Sequence, residues 1–91
     1  MPPARRKRRT SWRSAARSSP QVDRALAALG KRVRILRREK GLTQEDAAAK
    51  AHLDSKHFQA IEAGQANLTM ASLVGVARSL DVKLSELFKG V

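Results

Sequence analysis

The 91-residue sequence predicts an all-α fold of five short helices, preceded by a disordered basic N-terminal arm. Three observations carry that reading. Leu26, Leu29, Val33 and Leu36 recur at helical spacing. Thr43, Asp54 and Thr69 each stand as a helix N-cap before a helix-forming stretch. No run reads as a strand, and no internal repeat is present. The expected organisation is an arm over residues 1–20 and one domain over residues 21–91.

The arm is read from what it lacks. Beyond Met1 its one large apolar side chain is Trp12. It therefore cannot bury enough surface to offset an ordering cost of about 1–2 kcal/mol per residue. Residues 1–20 hold seven basic groups and no acid, and Arg5, Arg6, Lys7, Arg8 and Arg9 form a continuous run. An Arg- and Ser-rich, acid-free start also has the character of an organelle transit peptide, and the run that of a nuclear-localisation cluster. A solvated basic arm is the preferred reading.

Helix 1 is expected from Gln21 to Gly41, with its apolar face inward, Arg32, Arg34, Arg37, Arg38 and Lys40 around the rest, and Ile35 partly exposed. Thr43-Gln44-Glu45-Asp46 forms a relaxed capping box opening helix 2, with the acids favoured by the helix dipole. The alanines at 47, 48, 49 and 51 give high helix propensity and permit close helix approach. His52-Leu53 interrupts, and Asp54 caps helix 3, Ser55 to about Ala63, closed by Gly64. Thr69 caps helix 4, which runs to Leu80 with Leu73, Val76, Ala77 and Leu80 inward. Gly75 should weaken it by roughly 1 kcal/mol relative to alanine. Helix 5 spans about Leu84 to Phe88.

Composition bounds the function. The chain carries 19 Lys+Arg against 8 Asp+Glu, a formal charge of +11, and no cysteine. That excludes a disulfide framework and thiolate chemistry and points to an anionic polymer or surface as partner. No apolar run approaches the roughly 20 residues of a membrane span. The charge is uneven: residues 21–40 carry seven basic groups against two acids, whereas residues 41–91 carry five against six. His52 and His57 lie five residues apart, off a common helical face, and no spaced carboxylate pair suggests zinc. Asp54, Ser55 and His57 are consecutive or nearly so, and such neighbours seldom supply a catalytic triad. Neither an enzyme nor a metal or cofactor site is expected.

Thr43–Ala51, a turn at His52-Leu53-Asp54, and Ser55–Ala63 have the layout of a helix-turn-helix. Through Gly41-Leu42-Thr43-Gln44-Glu45, Ala48, Ile61-Glu62 and Gly64, residues of about 26–89 resemble the lambda-repressor-like (Cro-type, or XRE) DNA-binding domains. Leu53-Asp54 and Asn67-Leu68-Thr69 add a weaker likeness to restriction–modification controller proteins. The resemblance implies a third helix that enters the major groove. Ser55, Lys56 and Ala60 match the family's base-reading positions, with His57 and Gln59 flanking them. Lys56 suits guanine O6 and N7, Gln59 or Ser55 suit adenine or either base, and Ala60 suits a thymine methyl. Against these stand blander roles: a first-turn helix residue for Ser55, a solvated lysine for Lys56, a phosphate or surface contact for His57.

Gln44 matches the family's phosphate-clamping glutamine, and Asn67 lies in a loop that grips the next phosphate or merely forms a turn. Arg37 and Glu62 match a family ion pair joining helix 1 to the end of helix 3. Three positions depart from the pattern: Ala47 replaces a leucine, which Phe58 is expected to refill, and His52 and Asp81 replace turn glycines. A single reading helix covers few base pairs, so the expectation is a homodimer on a pseudo-palindromic operator, with Phe88 and Val91 at the dimer surface and Leu84 and Leu87 sealing the core. The expected location is cytoplasmic, on a bacterial or phage nucleoid. A second reading is a protein-interaction module, an antitoxin or coregulator, to which the near-neutral second half would suit a protein partner.

Overall fold

The computed structural model describes residues 19–91. Five helices follow in order: α1 (Pro20–Glu39), α2 (Gln44–Lys50), α3 (Ser55–Glu62), α4 (Met70–Ser79) and α5 (Leu84–Leu87). No strand occurs among the described residues. The arm cluster Arg5, Arg6, Lys7, Arg8 and Arg9 lies outside them. None of the described helices is long and apolar enough to cross a membrane.

Helix α1 starts at Pro20, one residue before the position read from the sequence, because proline's fixed φ and missing N–H suit the first helical turn. Its buried face is Leu29, Gly30, Val33 and Leu36, while Leu26 is only half-buried and Ile35 is exposed. The capping box at α2 is complete. The Asp46 amide donates to Thr43 Oγ1 at 3.0 Å, and the Thr43 amide donates to Asp46 Oδ2 at 3.3 Å. Asp54 stands at the N-cap of α3 but its side chain accepts no capping hydrogen bond. Thr69 caps α4 by accepting from the Ser72 amide at 3.1 Å.

The two residues that replace turn glycines both take left-handed backbone: His52 at φ 59° and Asp81 at φ 55°. His52 lets the chain reverse between α2 and α3, and the Leu53 amide then donates to the Ala48 carbonyl at 2.8 Å.

The core is one cluster from all five helices. Phe58, Leu80 and Leu87 are fully enclosed, with Val33, Ile61 and Val76 nearly so. Ala47 and Phe58 are both at 0% exposure in this cluster, so the small residue on α2 and the large one on α3 share a filled interior. Helix α1 packs on α3 and α5, α2 on α3 and α4, and α4 on α5.

Two helix crossings are set by missing side chains. A Cβ on Gly30 would lie 2.5 Å from the Glu62 carbonyl oxygen and 2.6 Å from that of Ile61, so α1 meets the end of α3 backbone to backbone. A Cβ on Gly75 would lie 2.9 Å from the Ala51 carbonyl oxygen. The propensity lost at Gly75 is thus exchanged for close seating of α4 on the end of α2. Arg32 adds a polar tie at the far side, donating through Nε to the Glu86 carbonyl at 3.0 Å and through Nη2 to its carboxylate at 3.3 Å.

Candidate nucleic-acid interface

Helices α2 and α3 with the intervening Ala51–Asp54 turn form a helix-turn-helix. Amphipathic spacing decides how α3 sits. Phe58, Ile61 and Glu62 face inward and are buried, which leaves Lys56 and Gln59 fully outward. Ser55 and His57 are half-buried in the first turn. Ala60 is half-buried and packs against the core, so its methyl is partly committed to the interior. Asn67 is exposed in the α3–α4 loop, where the Gln65 amide donates to the Ala60 carbonyl at 2.9 Å.

The end of α3 is anchored by a buried carboxylate. Glu62, with its side chain at 0% exposure, accepts from Arg37 Nε at 2.6 Å and from Nη2 at 3.2 Å. Arg37 also donates through Nη1 to the Leu42 carbonyl at 2.9 Å, so one guanidinium links α1, the α1–α2 turn and α3. Burial works against the Glu62 charge, but hydrogen bonds from Arg37 and Gln44 and the charge of Arg37 outweigh it, and the carboxyl titrates below its ordinary range. The hydrogen bond to Glu62 likewise raises Arg37, against the loss of its hydration.

Two members of this cluster were not legible as such in the sequence. Gln44 donates through Nε2 to Glu62 Oε1 at 2.8 Å, so the side chain assigned to a phosphate is first bound to the protein. Arg34 approaches the same Oε1 through Nε at 3.5 Å. The spacing of Arg34 and Arg37, one helical turn apart on α1, is the only sequence signal for the pair. No buried side-chain nitrogen or oxygen among the described residues is left without a partner. At the opposite end, Phe88 and Val91 are 40% and 46% exposed, while Leu87 is enclosed.

A model of the family described as helix-turn-helix domain matches residues 28–87. The chain belongs to that helix-turn-helix family. It is 40% identical over 52 residues to an uncharacterised HTH-type transcriptional regulator of Sinorhizobium fredii, y4dJ, covering 57% of this chain and 68% of that protein. Among solved structures it is similar to the restriction–modification controller protein C.AhdI of Aeromonas hydrophila, with a TM-score of 0.68 and 38% identity over 69% of this chain and 96% of that one. The wild-type controller protein C.Esp1396I gives a TM-score of 0.66 and 35% identity, over 71% and 86% of the two chains. The lambda-repressor-like assignment and the likeness to controller proteins, the weaker of the two resemblances in the sequence, both hold.

Proposed function

We propose that this helix-turn-helix protein is a sequence-specific DNA-binding transcriptional regulator that reads a pseudo-palindromic operator as a homodimer. The observation that carries the reading is α3, held by Phe58, Ile61 and Glu62 on its inner face and presenting Lys56 and Gln59 outward. A helix so seated fits the major groove, where lysine suits guanine and glutamine suits adenine. Ser55 and His57 flank these readers, Ala60 offers its remaining surface to a thymine methyl, and Gln44 and Asn67 take phosphates on either side. The likeness to a regulator and to controller proteins supports the same reading.

Exposed Phe88 and Val91 supply the pairing surface, so that two copies read half-sites about 34 Å apart. The arm, through Arg5, Arg6, Lys7, Arg8 and Arg9, adds salt-sensitive affinity along phosphates or the minor groove. The protein works in the cytoplasm on a bacterial or phage nucleoid. Selection of the full chain on random-sequence duplexes tests the reading. Enrichment of a palindrome is the expected result. Retention of DNA with no enriched sequence, or no retention, overturns it and favours a protein-bridging role.

A further inference from the structure

We propose that Arg34 is a DNA-phosphate contact, held beside Gln44 by the buried Glu62 carboxylate, so that one acid at the end of α3 positions two backbone contacts. The inference rests on the DNA-binding reading above and extends it to a residue on α1.

Glu62 carries one negative charge and is wholly enclosed. Arg37 already matches it, engaging both carboxylate oxygens with a side chain only 11% exposed. Arg34 is a second guanidinium at the same carboxylate, with its side chain 44% exposed. One positive charge in the cluster is therefore surplus, and it sits at the solvent end. No other carboxylate among the described residues lies within ion-pair distance of Arg34.

Position follows from the shared oxygen. Gln44 Nε2 and Arg34 Nε both converge on Glu62 Oε1, at 2.8 and 3.5 Å. Arg34 is thus tethered next to the glutamine assigned to a phosphate rather than sweeping freely from α1. A planar guanidinium suits a phosphate because it presents donors in a fork. Exposed Arg38, one turn further along α1, adds positive field at the same end of the helix. A role confined to stabilising Glu62 fits less well, since a half-exposed pair at 3.5 Å adds little to what Arg37 supplies.

The test uses the full chain and the operator found by selection, with dissociation constants measured across a salt series. Arg34→Ala is expected to weaken binding to operator and random duplex by the same factor. It should make the slope of log affinity against log salt shallower by about 0.9, with the melting temperature unchanged. Arg34→Lys should keep the slope and lose part of the affinity. Arg24→Ala, the same charge change at the other end of α1, should leave the slope nearer that of the parent. A parent slope in Arg34→Ala, or an equal loss in Arg24→Ala, overturns the assignment. Absence of any DNA binding by the parent protein overturns the underlying reading instead.

Discussion

Arg37 and Glu62 stand 25 positions apart and meet at 2.6 Å, joining the first helix to the end of the third with the carboxylate side chain sealed from water. Removing one partner of such a pair leaves an unpaired buried charge, which costs about 3–5 kcal/mol. Glu62→Gln is accordingly expected to lower the denaturation midpoint and to weaken DNA binding. Unchanged melting and affinity would show that the bridge holds nothing in place.

The same carboxyl predicts a pH response. Its titration in the fold lies below that of the unfolded chain, which is about 4.3 for glutamate. The stability it contributes is full above that range and is lost as pH falls through the folded-state value. Denaturant titrations at successive pH values should show the gap between the parent and Glu62→Gln narrowing below about pH 4.3. A gap that stays constant into acid would contradict the depressed titration.

Gly30→Ala pits two known effects against each other. Helix propensity favours alanine by about 1 kcal/mol. Against it, the added methyl falls 2.5–2.6 Å from two backbone carbonyls, and overpacking of this kind costs about 1–3 kcal/mol, more where the neighbour is main chain. A net loss of stability is expected by calorimetry, accompanied by weaker DNA binding because α3 is displaced. A gain in melting temperature would mean the crossing is looser than the geometry shows.

His52 holds a left-handed conformation that most side chains resist. His52→Gly should raise stability by about 0.5–1 kcal/mol after the greater chain entropy of glycine is subtracted. His52→Val should lower it, since a β-branched residue resists positive φ most strongly. The two melting temperatures, compared with the parent, check the sign of each.

Lys56 and the arm should separate specificity from affinity. Lys56→Ala is expected to change the preferred operator, whereas deletion of residues 1–18 should weaken binding to all duplexes and flatten the salt dependence. Equal losses on operator and random DNA for Lys56→Ala would remove it from base reading. Phe88→Glu with Val91→Glu should shift sedimentation toward the monomer and loosen operator binding; a parent protein monomeric at high micromolar concentration would remove the pairing surface.

Local chemistry carried most of the architecture. The hydroxyl of Thr43 with Asp46 three positions on, and Thr69 before α4, are caps whose partners lie within one turn, so residue type and spacing suffice. His52 and Asp81 were legible through the family resemblance instead, because each stands where the family's pattern has a turn glycine, and both take positive φ. What stayed hidden depends on which backbone or side chain arrives from far along the chain. Gly75 looks like a mere helix weakener until Ala51 is seen against it, and Gly30 gives no signal until Glu62 and Ile61 are. Gln44 reads as a phosphate contact alone until Glu62 is found within its reach, 18 residues away. Arg32 shows no sign of its bond to Glu86, because a separation of 54 residues leaves no periodic trace.

Helix α3 keeps its footing and its vocabulary on different residues. Phe58, Ile61 and Glu62 belong to the interior, and Lys56 and Gln59 to the outside, with half-buried Ser55, His57 and Ala60 at the border between them. A change of outward letters therefore leaves the scaffold unaware of the message. Such a domain can acquire a new target by exchanging two or three side chains, without first having to relearn how to fold.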